Sequence, residues 1–286
     1  MLPWPACKSV RAEGYWRAAQ DVTLSALEKQ ALVPLQTSEL QIEGVPPFLL
    51  RRLEGFPPRH LTEQGPRPNP FLPWDQPLEV GRLGQSHVLI LNKYPVQPAH
   101  LLLITQQWQP QAGWLTPADW QAVAHVAADT GGLWFFNSCP TAGASQPHRH
   151  LQLLPRKEGE ASCPLAPLLE GQLQDSHRPW PWRYAISARW DAREGMDLLP
   201  LYRKHALLLE LGDPDGHEDP RHAYNLLFDD SWFLTVRRVK EHCAGFSING
   251  LGFAGFLLCT THSDLDWLRA HGPWALLKDV AAPPSG

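Results

Sequence analysis

The run from residue 137 to residue 152 holds the side chains best suited to do chemistry: Asn-Ser-Cys-Pro-Thr-Ala-Gly-Ala-Ser-Gln-Pro-His-Arg-His-Leu-Gln. On a β-strand, side chains two residues apart share a face, so His148, His150 and Gln152 form one polar row. The leucines that alternate with them then point to the opposite face, into a core. Three polar side chains on a covered face need either hydrogen-bond partners or a function.

This polar row suits nucleophilic attack on phosphorus. A neutral imidazole attacks a phosphate, forms a phosphoramidate and passes the group to a second acceptor. The attacking nitrogen is bare only when the other ring nitrogen is held by an acceptor. Gln152, Ser145 and the backbone of residues 143–146 would supply donors to the non-bridging oxygens, and small residues such as Gly143 and Ala144 let the main chain approach an anion.

Two other interpretations of the two histidines stay open at this point. They would be metal ligands on one strand, as in a cupin-like barrel, if a carboxylate and a distant histidine lay on facing strands. Glu158 is poorly spaced for that carboxylate, because it follows a Pro-Arg-Lys run. They would otherwise be surface or satisfied core residues, as histidines usually are, and the chain has 13 of them.

The segments around the row predict an antiparallel sheet with flanking helices. Thr116 is typical of a helix N-cap, with Pro117 next and Asp119 three residues later, and Gly131-Gly132 ends that helix. Short links between strands favour an α+β fold over a doubly wound one. The predicted strands cover residues 87–92, 100–105, 133–137, 148–154, 224–228 and 233–236, and the other helices residues 14–32 and 198–211. Residues 155–182 are predicted to cross between halves, and the tail after Ala281 to fray.

Composition excludes several classes of protein. In 286 residues, 43% are hydrophobic, and 25 basic against 29 acidic side chains give a net charge of −4, which argues against a protein that coats nucleic acid. The sequence has no apolar run long enough for a membrane span and does not begin with a secretory signal pattern. Its five cysteines are scattered, with no C-x-x-C pair. These features predict a cytoplasmic soluble protein without nucleic-acid or membrane partners.

The run Gly-Ala-Ser-Gln-Pro-His-Arg-His-Leu-Gln resembles the histidine-triad superfamily, in the transferase branch where the last histidine is replaced by glutamine. The spacing from Asn137 to Gln152 also resembles the galactose-1-phosphate uridylyltransferase site. Other motifs resemble diadenosine tetraphosphate (Ap4A) phosphorylase, also called ATP adenylyltransferase. Those motifs are Asn-Pro-Phe-Leu-Pro from residue 69, residues 87–96, 100–105 and 224–227, and Ser-Ile-Asn-Gly-Leu-Gly-Phe-Ala-Gly from residue 247.

The resemblance to Ap4A phosphorylase implies a role for each matching residue. His150 would be the nucleophile that carries AMP, Gln152 would hydrogen-bond the transferred phosphate, and His148 would orient the site. The remaining matches would bind the substrate: Asn92 and Lys93 beside the polyphosphate; Asn137, Gly143, Ala144, Ser145 and Gln146 along the phosphates; and Asn249, Gly250, Leu251 and Phe256 at the nucleotide. No metal site is implied, and Mg²⁺ would accompany the nucleotide only as its counter-charge.

The sequence departs from the family pattern at two places. Arg237-Arg238 stands where the family often has Pro-Arg, and Thr260 stands where fungal members lead us to expect a lysine. One phosphate contact would then be missing, or replaced by Arg238 or Lys240. Gly250 to Gly255 also spells G-x-G-x-x-G, but an apolar, strand-like run follows, so the sequence argues against a Rossmann site.

The sequence thus predicts a histidine-triad-like antiparallel sheet whose C-terminal part extends the same core. The predicted division is a catalytic part (1–160), a connecting segment (161–182) and an ATP adenylyltransferase-like part (183–286). The predicted activity is a nucleotidyltransferase reaction: reversible phosphorolysis of Ap4A to ATP and ADP through adenylyl-His150, with Ap4A, ATP, ADP and phosphate as partners. The alternatives are a dinucleoside polyphosphate hydrolase, a hexose-1-phosphate nucleotidyltransferase, a nucleotide-binding sensor and a cupin-like metal protein.

Overall fold

The structure, a computed structural model, describes residues 11–42, 45, 47–55, 69, 71–157, 159–174, 179–189, 198–216 and 219–284. The helices of this part are α1 (Gly14–Glu28), α2 (Pro117–Asp129), α3 (Ala166–Gly171), α4 (Leu198–Leu208), α5 (Gly250–Phe253), α6 (Leu265–His271) and α7 (Pro273–Val280). Its strands are β1 (Thr37–Glu39), β2 (Leu49–Leu53), β3 (Glu79–Leu83), β4 (His87–Leu91), β5 (Leu101–Thr105), β6 (Gly132–Asn137), β7 (His150–Pro155), β8 (Tyr184–Ala188), β9 (Tyr224–Phe228), β10 (Trp232–Arg237), β11 (His242–Cys243), β12 (Phe246–Ser247) and β13 (Phe256–Cys259). We find no helix within the described ranges with the length and apolar character needed to cross a bilayer.

One eight-stranded antiparallel sheet carries strands from both halves of the chain, in the order β3-β4-β5-β7-β6-β9-β10-β8. The halves join where β6 pairs with β9, so the C-terminal strands extend the N-terminal sheet. A smaller sheet has the order β1-β2-β13, with β13 parallel to β2. The α+β prediction and the rejection of a Rossmann fold are confirmed, while the division at residues 160 and 182 stays a prediction.

Two apolar clusters cover the two faces of the large sheet. Because side chains alternate along a strand, Trp134 of β6 enters the cluster with α1, α2 and α4, whereas Phe135 enters the one with α3, α5, α6 and α7. On β7, Leu151 and Leu153 join the first cluster, as the alternation predicts. His150 and Gln152 therefore lie on the opposite face of the sheet, the face of the second cluster.

Some predicted boundaries are wrong. Strand β7 begins at His150, not at residue 148, because residues 147–149 pair with residues 109–111 instead of with β6. Helix α1 ends at Glu28, and Gln30 follows with a left-handed φ of 54°. The crossing segment contains α3. Ala282 does not fray, since it is 3% exposed and its carbonyl accepts a hydrogen bond from the Arg183 amide.

The predicted cap of α2 is present and also holds a buried carboxylate. Thr116 Oγ1 accepts from the Asp119 amide at 3.3 Å, and Asp119 Oδ2 accepts from the Thr116 amide at 2.7 Å. Asp119 is 1% exposed and pairs with His87 at 2.9 Å and Arg149 at 3.2 Å. The threonine hydroxyl donates to the same carboxylate at 2.8 Å. Through the Asp119–His87 pair, the cap thus connects the start of α2 to strand β4 of the sheet.

Replacing Thr116 with alanine removes both the cap and one donor to a buried carboxylate. We expect the free energy of unfolding to fall by about 1–2 kcal/mol. Urea denaturation of Thr116→Ala beside Thr261→Ala, at an exposed threonine, measures this. Equal midpoints for the two variants would show that the cap contributes nothing.

Candidate active site

His150 is held in the state that a nucleophile requires. Its Nδ1 lies 2.7 Å from the carbonyl oxygen of His148, so Nδ1–H donates and Nε2 is left bare. The residue is 3% exposed, and burial lowers the pKa of the imidazole to about 4. At neutral pH the ring is uncharged, and its lone pair is available for attack.

His148 orients this site through its main chain and is itself fully engaged. Its Nε2 lies 2.9 Å from both the carbonyl oxygen and Oγ1 of Thr105, and its Nδ1 lies 3.1 Å from Oδ1 of Asn69. The ring of Phe71 packs edge-on against both histidines, with centroid distances of 5.6 and 5.4 Å. These contacts use both ring nitrogens of His148, which argues against a metal-ligand pair.

The carboxylate considered for such a metal site, Glu158, lies outside the described residues. Within the described ranges, no cluster of three or more His, Cys, Asp or Glu side chains is arranged to hold a metal ion.

The side-chain amide of Gln152 is fixed by a chain of polar contacts. His100 Nε2 lies 2.9 Å from Gln152 Oε1, and His100 Nδ1 lies 3.2 Å from Asn92 Nδ2. Asn92 Oδ1 in turn accepts from the Tyr94 amide at 3.2 Å. Burial lowers the pKa of His100 to about 4, so its neutral ring accepts from Asn92 and donates to Gln152. The Gln152 oxygen is therefore occupied, and its NH₂ group has no hydrogen bond to another described residue.

Asn137 joins the sheet to the C-terminal half of the site. Its Oδ1 accepts from Asn225 Nδ2 at 2.8 Å and from the Gly250 amide at 2.9 Å. A side chain at position 250 would bring its Cβ to 3.0 Å from that oxygen, so glycine permits the approach. Asn249 caps α5 by accepting from the Leu251 amide at 2.9 Å. The structure thus brings Asn137, Asn249 and Gly250 together.

The loop that contains Gly143 packs closely on Asn249. Gly143 has a left-handed φ of 84°, and a Cβ there would lie 2.6 Å from the Asn249 Cβ. The Gly143 and Ala144 amides donate to the carbonyls of Pro140 and Cys139, and the predicted use of these two amides by phosphate stays a prediction.

Ser145 and Gln146 complete this loop. Ser145 is exposed. The buried Oε1 of Gln146 has no hydrogen-bond partner among the described residues. Binding of substrate by Gly143 to Gln146 stays a prediction.

The remaining predicted binding residues have partners within the protein. Lys93 Nζ pairs with Asp75 at 2.7 Å on the surface, and Leu251 packs on the second apolar cluster. Phe256 is on β13 of the smaller sheet, opposite Leu49. Thr260 is exposed just after that strand. The substrate contacts predicted for Lys93, Leu251 and Phe256 stay predictions.

Arg238 does not replace the lysine expected at position 260. It is 2% exposed, and its guanidinium donates to the carbonyls of Val280, Lys240 and Ile248 and to Asn225 Oδ1. Lys240 pairs with Asp279 at 2.6 Å. The buried guanidinium also lies over the ring of Phe253, a core residue 1% exposed.

Both halves of the chain match known protein families. Residues 6–171 match the Ap4A phosphorylase N-terminal domain, and residues 178–283 match the ATP adenylyltransferase C-terminal domain. The first match alone covers more than half of the 286 residues. The chain belongs to the Ap4A phosphorylase family.

Relatives from Saccharomyces cerevisiae are similar to the chain at low identity. Protein APA1 is 26% identical over 202 residues, which are 62% of this chain and 63% of that protein. Diadenosine 5',5'''-P1,P4-tetraphosphate phosphorylase 2 is 29% identical over 210 residues, which are 63% of this chain and 64% of that protein. The chain thus aligns with somewhat less than two thirds of each relative.

Crystal structures of yeast Ap4A phosphorylase Apa2 share the fold. The complex with Ap4A has a TM-score of 0.70 at 20% identity, and the complex with AMP has 0.72 at 21% identity. Each superposition covers 97% of this chain and 100% of the Apa2 chain. The architecture of the Ap4A phosphorylase family therefore extends over both halves of this molecule.

Among the described residues, His100, Gln111 and Asn225 contribute side chains to the site that the sequence analysis did not name. The strand pattern could have indicated His100, because it lies two residues before Leu102 and so shares its face of the sheet. Leu102 is the partner of Gln152 on the neighbouring strand. Asn225 could have been indicated too, as the polar residue of the apolar strand Tyr-Asn-Leu-Leu-Phe. Nothing indicates Gln111, since it is one of several glutamines in a loop, and only the folded chain brings it to His150.

Acid is expected to destabilise this family member well before its carboxylates are protonated. Burial lowers the pKa of His100 and His150 to about 4, and that of His205 to about 3. Between the unfolded value near 6.5 and these folded values, the unfolded chain binds protons that the native chain does not, so stability falls as pH falls.

Each of these histidines contributes a slope of up to about 1.4 kcal/mol per pH unit in that window. Urea denaturation at a series of pH values from about 7 to 5 measures the slope. A His242→Ala control, at an exposed histidine, should keep it, whereas His100→Phe should reduce it. A flat unfolding free energy across this range would contradict the prediction.

Proposed function

We propose that the chain catalyses reversible phosphorolysis of Ap4A to ATP and ADP. His150 Nε2 attacks a terminal α-phosphorus, the P–O bond to the bridging oxygen breaks, and ATP leaves. An oxygen of inorganic phosphate then attacks adenylyl-His150, the P–N bond breaks, and ADP is released. The carrying observation is the neutral His150, whose Nδ1–H is held by the His148 carbonyl.

Three further observations support this proposal. The chain belongs to the Ap4A phosphorylase family, one relative bears that activity in its name, and Apa2 has been crystallised with Ap4A and AMP. The amide NH₂ of Gln152 lies next to His150 in the polar row and is suited to a developing phosphate charge. Catalysis at phosphorus needs mainly position and charge stabilisation, which such a site supplies.

The proposed reaction uses Mg²⁺-bound nucleotides in the cytoplasm. Mg²⁺ accompanies the nucleotide as its counter-charge and is not a resident cofactor of the protein. The enzyme acts in the cytoplasm on free nucleotides. A magnesium titration of the rate tests the first statement, because the optimum should follow the nucleotide concentration.

Nucleotide analysis tests the reaction itself. Purified protein is mixed with Ap4A and Mg²⁺, with and without ³²P-labelled phosphate. Phosphorolysis gives ATP and ADP only when phosphate is present, with the label in the β-phosphate of ADP. ATP and AMP in both tubes would make the protein a hydrolase. Intact Ap4A in both tubes would refute the proposal and favour a hexose-1-phosphate transferase or a binding protein.

A further inference from the structure

Strands β6 and β7 separate at the nucleophile. Their pairing runs from Gly132 opposite Pro155 to Phe135 opposite Gln152. In this register the next hydrogen-bonded positions would place Asn137 opposite His150. Beyond Phe135 the direct ladder stops, although Asn137 still pairs with Asn225 on the far side.

The side chain of Gln111 fills the missing rung. Its Oε1 accepts from the His150 amide at 2.8 Å, and its Nε2 donates to the Asn137 carbonyl at 2.7 Å. In a regular antiparallel pair, that amide and that carbonyl would bond each other directly. Nε2 also lies 3.3 Å from the His150 carbonyl. One carboxamide thus bridges the two strands at the position where the nucleophile begins.

The loop that presents Gln111 is held on both sides. The Gln111 amide donates to the Pro147 carbonyl at 2.7 Å, and the Arg149 amide donates to the Gln109 carbonyl at 2.8 Å. The Arg149 guanidinium donates to the carbonyls of Pro110, Ala112 and Trp114. Gln111 is 2% exposed, so its amide has little room to take another orientation.

We propose that Gln111 is a positioning residue that sets the main chain of His150 relative to Asn137. It bonds the backbone of the nucleophile and need not contact the substrate. This inference rests on the proposed function only for the nucleophilic role of His150. A shift of about 1 Å in a reacting group costs on the order of 10²-fold in rate. Loss of the bridge should therefore lower kcat by about 10- to 100-fold and change KM for Ap4A little.

Gln111→Glu is the most informative variant, because glutamate has nearly the same shape as glutamine and differs mainly in its charge. The carboxylate accepts from the His150 amide but cannot donate to the Asn137 carbonyl. The protonated acid restores one donor and one acceptor. We expect the kcat of this variant, relative to wild type, to rise as pH falls, which a purely structural defect would not produce. Gln109→Glu, at an exposed glutamine of the same loop, is the control.

Gln111→Met keeps the volume without the hydrogen bonds and serves if the glutamate variant does not fold. In Gln111→Met, which removes the acceptor, hydrogen exchange at the His150 amide should accelerate, and this readout needs no turnover. A folded Gln111→Met protein with wild-type kcat and unchanged His150 exchange overturns the inference. Absence of Ap4A turnover in the wild type would instead refute the proposed function, and hydrogen exchange would still test the bridge.

Discussion

Replacing His150 with alanine is expected to reduce Ap4A phosphorolysis on the order of 10⁴-fold or more, with the fold retained. A large loss is expected because no neighbouring side chain can supply the attacking nitrogen. His148 is the nearest imidazole in sequence, but its ring nitrogens lie against Thr105 and Asn69. Removal of the His150 ring leaves the site with phosphate binding and no attacking nitrogen.

The proposed adenylyl-His150 intermediate gives a second test of the role of His150. With Ap4A labelled in the α-phosphates and no phosphate present, the wild type should release one equivalent of ATP and retain labelled AMP. A phosphoramidate is stable in base and labile in acid, so the label should survive alkaline denaturation and be lost in acid. His150→Ala should give neither the burst nor the label.

His242→Ala, at an exposed histidine, is the matched control and should behave as wild type. Free imidazole offers a second check, because a small nucleophile that enters the space of the missing ring should restore some ATP release. Circular dichroism and the urea midpoint show whether the variant is folded. A folded His150→Ala protein with near wild-type turnover would refute the adenylyl-histidine mechanism.

How far the sequence predicts this site depends on how local each interaction is. The polar row is a period-two pattern within one strand, and the cap at Thr116 is a four-residue pattern, so both can be derived from the residues. Local spacing specifies these two features without knowledge of the fold. The bond that fixes the tautomer of His150 is also local, two residues away at the His148 carbonyl, but it is known only from the structure.

The remaining interactions join segments that are distant in sequence. Gln111 meets His150 across 39 positions, and Asn225 meets Asn137 across 88. Neither pairing follows from propensity or periodicity, because it depends on strand order and on the break between β6 and β7. The loop amides of Gly143 and Ala144 show the opposite case. Their small size suggests contact with an anion, but the tight turn uses their donors internally.

Gln152→Glu is expected to be the most damaging isosteric change at the site, lowering kcat/KM on the order of 10³-fold or more at neutral pH. His100 is neutral and donates to one oxygen of residue 152. In the glutamate variant that oxygen still accepts this bond, and the second oxygen takes the place of the NH₂ group. A carboxylate would then face the phosphate, so a donor is replaced by a like charge.

The comparison with Gln152→Ala separates charge from simple loss of a contact. Alanine removes the donor and should cost on the order of 10²-fold, whereas glutamate adds repulsion and should be worse. Gln121→Glu, on the exposed face of α2, controls for the added charge. Steady-state phosphorolysis of Ap4A measures all three variants. If glutamate were as active as alanine or more so, residue 152 would not face the transferred phosphate, and its amide would act only by holding His100.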